Sequence, residues 1–143
     1  MAFSNALLGI THSLAHKIGA QFHLPHGLCN AILQPFVIQF NRKACEARYA
    51  DIARALGLPG ATEKQLVNVL IDKICALNES LDIPPTLEAA GVSREVFDEH
   101  LDFISKQAVL DPCTGSNPRK TGEEDMRKIL TAAYDGTPAA INW

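Results

Sequence analysis

Four of the five histidines fall between residues 12 and 26, in the stretch THSLAHKIGAQFHLPHG. Imidazole is a metal ligand, a proton carrier and, when buried, a group whose nitrogens need partners. His12 and His16 stand four apart, so on a helix they share one face and can bind one divalent metal. The histidines of H-E-x-x-H metalloproteases do so. Here His12 is followed by Ser13 and Leu14; the glutamate base is missing, which removes a zinc-protease reading. His26 opens a second predicted helix, and a hairpin of the two helices returns it toward the His12 turn. His23 sits in the connection and is expected at the surface. Spacing leaves open which histidines bind, and also leaves open a purely structural role for them as hydrogen-bonded rings. A site of imidazoles alone is short of ligands, because divalent iron or zinc commonly takes a carboxylate as well. The nearest acidic residue in sequence is Glu46, and Asp111 lies in a distant loop.

The elements that must position these groups read as helices throughout. Ser4 or Asn5 is a candidate cap for a first helix, made almost wholly apolar by Leu7, Leu8, Leu14, Ala15 and Ile18. So apolar a helix belongs in a core. Pro25-His26-Gly27 reads as the entry of the second helix, with Pro35 as a kink and Phe36 to Phe40 continuing it. Ala47 to Leu56 is an amphipathic piece ended by Gly57. Thr62 with Gln65 forms a capping box for a helix to about Leu81. Pro84-Pro85 breaks the chain, and 87–90 is at most a short turn ended by Gly91. Ser93 caps a helix to about Ala108, residues 111–120 form a loop, and Thr121 with Glu124 forms a second capping box for a helix to about Tyr134. The tail from Gly136 shows no pattern. With no strand alternation and no glycine-rich phosphate loop, the fold class is all-α, a helical bundle in a single domain over residues 1–143.

The 143 residues carry 13 basic and 16 acidic side chains, a net charge of −3. That balance argues against nucleic acid or a polybasic membrane contact as the partner. No apolar run approaches the roughly 18 residues of a spanning helix, and the N-terminus lacks the basic region of a secretory signal. Cys29, Cys45, Cys75 and Cys113 are scattered without a C-x-x-C pair, the usage of reduced thiols in a cytoplasmic protein.

The stretch GITHSLAHKIGAQFHLPHGLCNAI, residues 9–32, resembles the histidine-rich signature of the iron-containing (group III) alcohol dehydrogenases. Gly9, His12, Ala15-His16, Gly19, Pro25-His26-Gly27 and Asn30 stand in that family's order and spacing. DPCTGSNPR, residues 111–119, resembles the family's late segment, and Ile83-Pro84-Pro85 and the last capped helix agree with it. The resemblance implies the all-helical C-terminal domain of a two-domain enzyme, an architecture shared with dehydroquinate synthase. It gives the metal to His12 and His26 rather than to His12 and His16, and places His16 against the nicotinamide and substrate. Cys113 takes a position lining the substrate end of the cleft, His23 matches no required position, and Phe36 stands where many relatives have a histidine.

The implied reaction is hydride transfer between an alcohol and NAD or NADP, giving an aldehyde or ketone. Fe2+ is the implied metal, with Zn2+ as a substitute, and it acidifies the alcohol oxygen. The family's nucleotide-binding domain and its first two ligands, an aspartate and a histidine, have no counterpart in these residues. The chain is therefore expected to be a piece of a longer enzyme, inactive alone, and its uncovered helical face favours a homo-oligomer. The alternative is a stand-alone helical protein that binds a metal or a partner and keeps the signature as a remnant.

Overall fold

Helices α1 (Ala2–Phe22), α2 (His26–Ala55), α3 (Glu63–Ser80), α4 (Arg94–Leu110) and α5 (Glu123–Asp135) follow one another, with a 3₁₀ turn at Pro138–Ala140. This computed structural model describes the backbone of residues 2–111 and 121–141, and the side chains of residues 11, 13–111, 121–139 and 141. No strand occurs among the described residues, and none of their helices is long and apolar enough to cross a membrane. The all-α expectation holds.

Local signals set most of the helix ends. Thr62 Oγ1 accepts from the Gln65 amide at 3.2 Å, while Gln65 Oε1 reaches back to the Ala61 amide at 2.8 Å. Ser93 Oγ accepts from the Val96 amide at 3.3 Å. Gly57 and Gly91 take the left-handed φ values of 74° and 102° that glycine adopts without a Cβ penalty. Two expected caps are corrected. The first helix already runs at Ala2, so neither Ser4 nor Asn5 caps it. At α5 the N-cap is Gly122, and Asp125 Oδ2 accepts from its amide at 3.0 Å. Of the three consecutive acids Glu123, Glu124 and Asp125, the third is at the reaching position, one residue past the Thr121–Glu124 pairing.

Helix α2 is long because its two breaks are bridged. Pro35 has no N–H, which deprives the Ala31 carbonyl of its helical donor; Asn78 Nδ2 on α3 donates to that oxygen at 2.9 Å. At Cys45 the backbone leaves helical geometry (φ −144°, ψ 37°), and the thiol donates to Asn41 O at 3.3 Å. The amphipathic piece read at 47–56 thus continues α2 beyond this break.

Two apolar clusters result. The larger joins Leu14, Ala15 and Ile18 of α1 to Ile32, Leu33, Phe36, Val37 and Phe40 of α2 and to the inner faces of α4 and α5. The smaller packs the end of α2 (Tyr49, Ala50, Ala53) on Leu66, Val67, Leu70 and Ile71 of α3. Phe97 stacks on Tyr134 at 4.4 Å between ring centroids, and Tyr134 Oη donates to Val92 O at 2.9 Å. These contacts lock α4, α5 and the turn between α3 and α4 together. The α1–α2 side of the large cluster is the platform for the histidines.

Candidate functional site

The connection between α1 and α2 is three residues long, so the helices fold back as neighbours. His23 makes the turn in the left-handed region, with φ 57°, and its side chain is exposed. Gly19 explains the closeness of the approach. A Cβ there would lie 3.1 Å from Leu24 O, tighter than a methyl group and a carbonyl oxygen accept. The glycine lets the connection lie down on α1, and this sets the register in which α2 returns.

That register brings His16 and His26 together. Their rings stack, with centroids 5.2 Å apart and planes 21° from parallel. His26 is exposed and the His16 side chain is 46% exposed. Asp111, at the end of α4, folds back onto this pair. Its Oδ2 lies 3.4 Å from His16 Nδ1, a long hydrogen bond, and 3.8 Å from Lys17 Nζ. The Asp111 side chain is only 8% exposed, so its carboxylate is held between two cation-capable groups with little access to water. Sequence spacing left Asp111 unplaced; the only available signal was its position at the head of the late DPCTGSNPR segment.

The side chain of His12 and all of Cys113 lie outside the described residues. Among the described residues, no three His, Cys, Asp or Glu side chains gather as a metal site. Imidazole, which His26 presents at the surface, is a donor type that suits Fe2+ and Zn2+. Beside His26, a Cβ on Gly27 would meet nothing within 4 Å, and one turn further along α2 the buried Oδ1 of Asn30 has no hydrogen-bond partner. An exposed imidazole with an unused acceptor one turn further along its helix fits a bound ion.

Residues 1–134 match the family described as "Fe-containing alcohol dehydrogenase family, C-terminal". The chain is 50% identical over 137 residues to an NADPH-dependent butanol dehydrogenase of Clostridium saccharobutylicum, an alignment covering 96% of this chain and 35% of that protein. It is 39% identical over 153 residues to a bifunctional aldehyde-alcohol dehydrogenase of Escherichia coli, covering 95% of this chain and 17% of that one. Among solved structures, a 1,3-propanediol oxidoreductase superposes with a TM-score of 0.80 at 30% identity, over 87% of this chain and 32% of the other. An alcohol dehydrogenase from Oenococcus oeni gives 0.79 at 32% identity with the same coverage. The chain thus spans about a third of the butanol dehydrogenase and less of the bifunctional enzyme. Match to the family model over nearly the whole chain, with these relatives and folds, shows that the chain belongs to the iron-containing alcohol dehydrogenase family and matches its C-terminal part.

Proposed function

We propose that this chain is the metal- and substrate-side part of an NAD(P)-dependent, iron-dependent alcohol dehydrogenase that interconverts an alcohol with an aldehyde or ketone. The observation that carries the reading is the stacked His16–His26 pair with Asp111 behind it. His26, with His12 one turn before His16 on α1, holds the divalent ion, Fe2+ or in its place Zn2+. The ion supplies Lewis-acid chemistry, making the alcohol hydroxyl acidic near neutral pH.

The other roles fall to side chains. The Asp111 carboxylate can only accept, so in neutral His16 its contact favours the tautomer with the proton on Nδ1 and Nε2 as the acceptor. His16 Nε2 then takes the proton released on the substrate side and passes it toward solvent, which its exposure allows. The family resemblance alone assigns Cys113 to the substrate side. The nicotinamide nucleotide would be held mainly by a nucleotide-binding domain outside these residues, and His16 would stand on the side of its ring.

The test uses the natural enzyme that contains this segment. Loaded with Fe2+, it should reduce NAD+ or NADP+ with a primary alcohol, and His26→Ala should lose bound metal and turnover together. Full activity in a metal-free His12→Ala, His26→Ala protein would refute the reading.

A further inference from the structure

Asn30 stands in the histidine-rich stretch, yet it is neither a ligand nor a proton carrier in the roles above. Its Oδ1 is buried and accepts no hydrogen bond. Such an atom weakens the folded state, since an apolar side chain of the same shape there would sacrifice nothing. A buried polar group without a structural partner calls for another reason.

Its place on α2 supplies one. Asn30 follows His26 by four residues, so the two lie on one helix face about 5–6 Å apart at Cβ. Helical side chains lean toward the N-terminus, which inclines the carboxamide toward the His26 turn. Of the atoms described as buried and unpartnered, Thr11 Oγ1, Asn30 Oδ1, Tyr49 Oη and Ser105 Oγ, only that of Asn30 is one turn beyond His26. An imidazole that binds a metal through one nitrogen carries a proton on the other, and that N–H needs an acceptor to fix the ring.

We propose that Asn30 is a positioning residue for His26: its Oδ1 accepts the ring N–H that the metal leaves unused. This rests on the reading of His26 as a metal ligand. In the described arrangement the His26 ring stacks on His16 and Asn30 Oδ1 is unpaired. Because His26 is exposed, turning its ring toward the ion disturbs no core packing.

The experiment compares the natural enzyme containing this segment with its Asn30→Leu and Asn30→Asp variants. Each is stripped with a chelator and titrated with Zn2+ and with Co2+, and the melting temperature of each apo form is recorded. Asn30→Leu should keep or raise the apo melting temperature while weakening metal affinity about 10- to 100-fold, and should change the Co2+ ligand-field spectrum. Asn30→Asp keeps an acceptor and should bind metal more tightly than Asn30→Leu. Unchanged affinity and spectrum in Asn30→Leu overturn the proposal, as does an Asn30→Asp protein no better than Asn30→Leu. If Asn30→Leu does not fold, Asn30→Ala takes its place under the same criteria. An unsubstituted enzyme that takes up no metal overturns both this proposal and the reading of the site; metal uptake that ignores Asn30 overturns this proposal alone.

Discussion

Asp111 and His16, 95 residues apart in the chain, meet at 3.4 Å, with the carboxylate almost wholly withdrawn from water. The pairing gives His16 an anchor on a different helix, so its ring is set by the packing of α4 on α1 rather than by α1 alone. In the metal-loaded natural enzyme, Asp111→Asn should lower kcat about 10-fold or more, by the measure of lost orienting partners. Metal content should stay that of the unsubstituted enzyme, because the proposed ligands are His12 and His26. Metal analysis beside steady-state rates decides the matter: loss of metal in Asp111→Asn would place Asp111 or His16 among the ligands.

A second long-range bond holds the middle of α2. The Ala31 carbonyl, left without a helical donor by Pro35, takes one from Asn78 at 2.9 Å. Asn78→Ala leaves that part-buried oxygen without its donor and should cost about 1–2 kcal/mol. Pro35→Ala restores an N–H to the helix, so in that background Asn78→Ala should cost clearly less. The cycle is read from urea midpoints, and strict additivity of the two changes would show that the two groups do not act together.

What the sequence shows of this fold follows the range of each signal. Thr62 with Gln65, Ser93, Gly57 and Gly91 act within a few residues and are legible as written. The α5 cap moves by one residue because Glu123, Glu124 and Asp125 all offer a carboxylate, and backbone geometry chooses among them. The Pro35 kink is visible in sequence, but its repair by Asn78 is not, because that donor arrives 47 residues later on α3. The site divides in the same way. Spacing marks His12, His16 and His26 as able to act together, whereas Asp111 reaches His16 only through the packing of α4 on α1. Gly19 looks like a helix-end signal, and its actual constraint is the 3.1 Å approach of Leu24 O.

Burial raises the thiol pKa of Cys29, Cys45 and Cys75 above the ordinary 9.0, and Asp72 adds to the effect at Cys75. At Cys45 the neighbours Tyr49 and Arg48 offset part of the rise. Burial, with Cys45 adding to it, also raises the Tyr49 phenol. Each group keeps its proton to higher pH in the folded state than in the unfolded chain. Unfolding therefore releases protons once the pH passes the unfolded values, and stability falls as pH rises, by at most about 1.4 kcal/mol per pH unit for each proton. Urea midpoints should be level below about pH 8 with respect to these groups and decline above about pH 9. Replacing Cys29 and Cys75 by alanine should flatten the decline, and an unchanged slope would remove these two thiols as its source. Cys29, fully buried, should also be alkylated more slowly than Cys75.

Arg42 ties α2 to α3 with a side chain that is 3% exposed. Its Nε donates to Glu46 Oε2 at 2.9 Å, Nη1 to Gln39 Oε1 at 3.1 Å and to Asn68 Oδ1, and Nη2 to Lys64 O at 3.0 Å. Only the planar, forked guanidinium reaches acceptors in these separate directions; the compact ammonium of lysine cannot span them. Arg42→Lys should therefore destabilise the protein by about 2–4 kcal/mol, the loss of more than one charge-assisted bond. Glu46 is a third exposed, so its carboxylate can return to water, and Glu46→Gln should cost no more than about 1 kcal/mol. Chemical denaturation of both variants separates two accounts of this contact. A large penalty for Arg42→Lys with a small one for Glu46→Gln means that the bridge to Asn68 and Lys64 holds α3 in place. Equal penalties would mean that the ion pair within α2 carries the stability, and α3 would then depend on its apolar face alone.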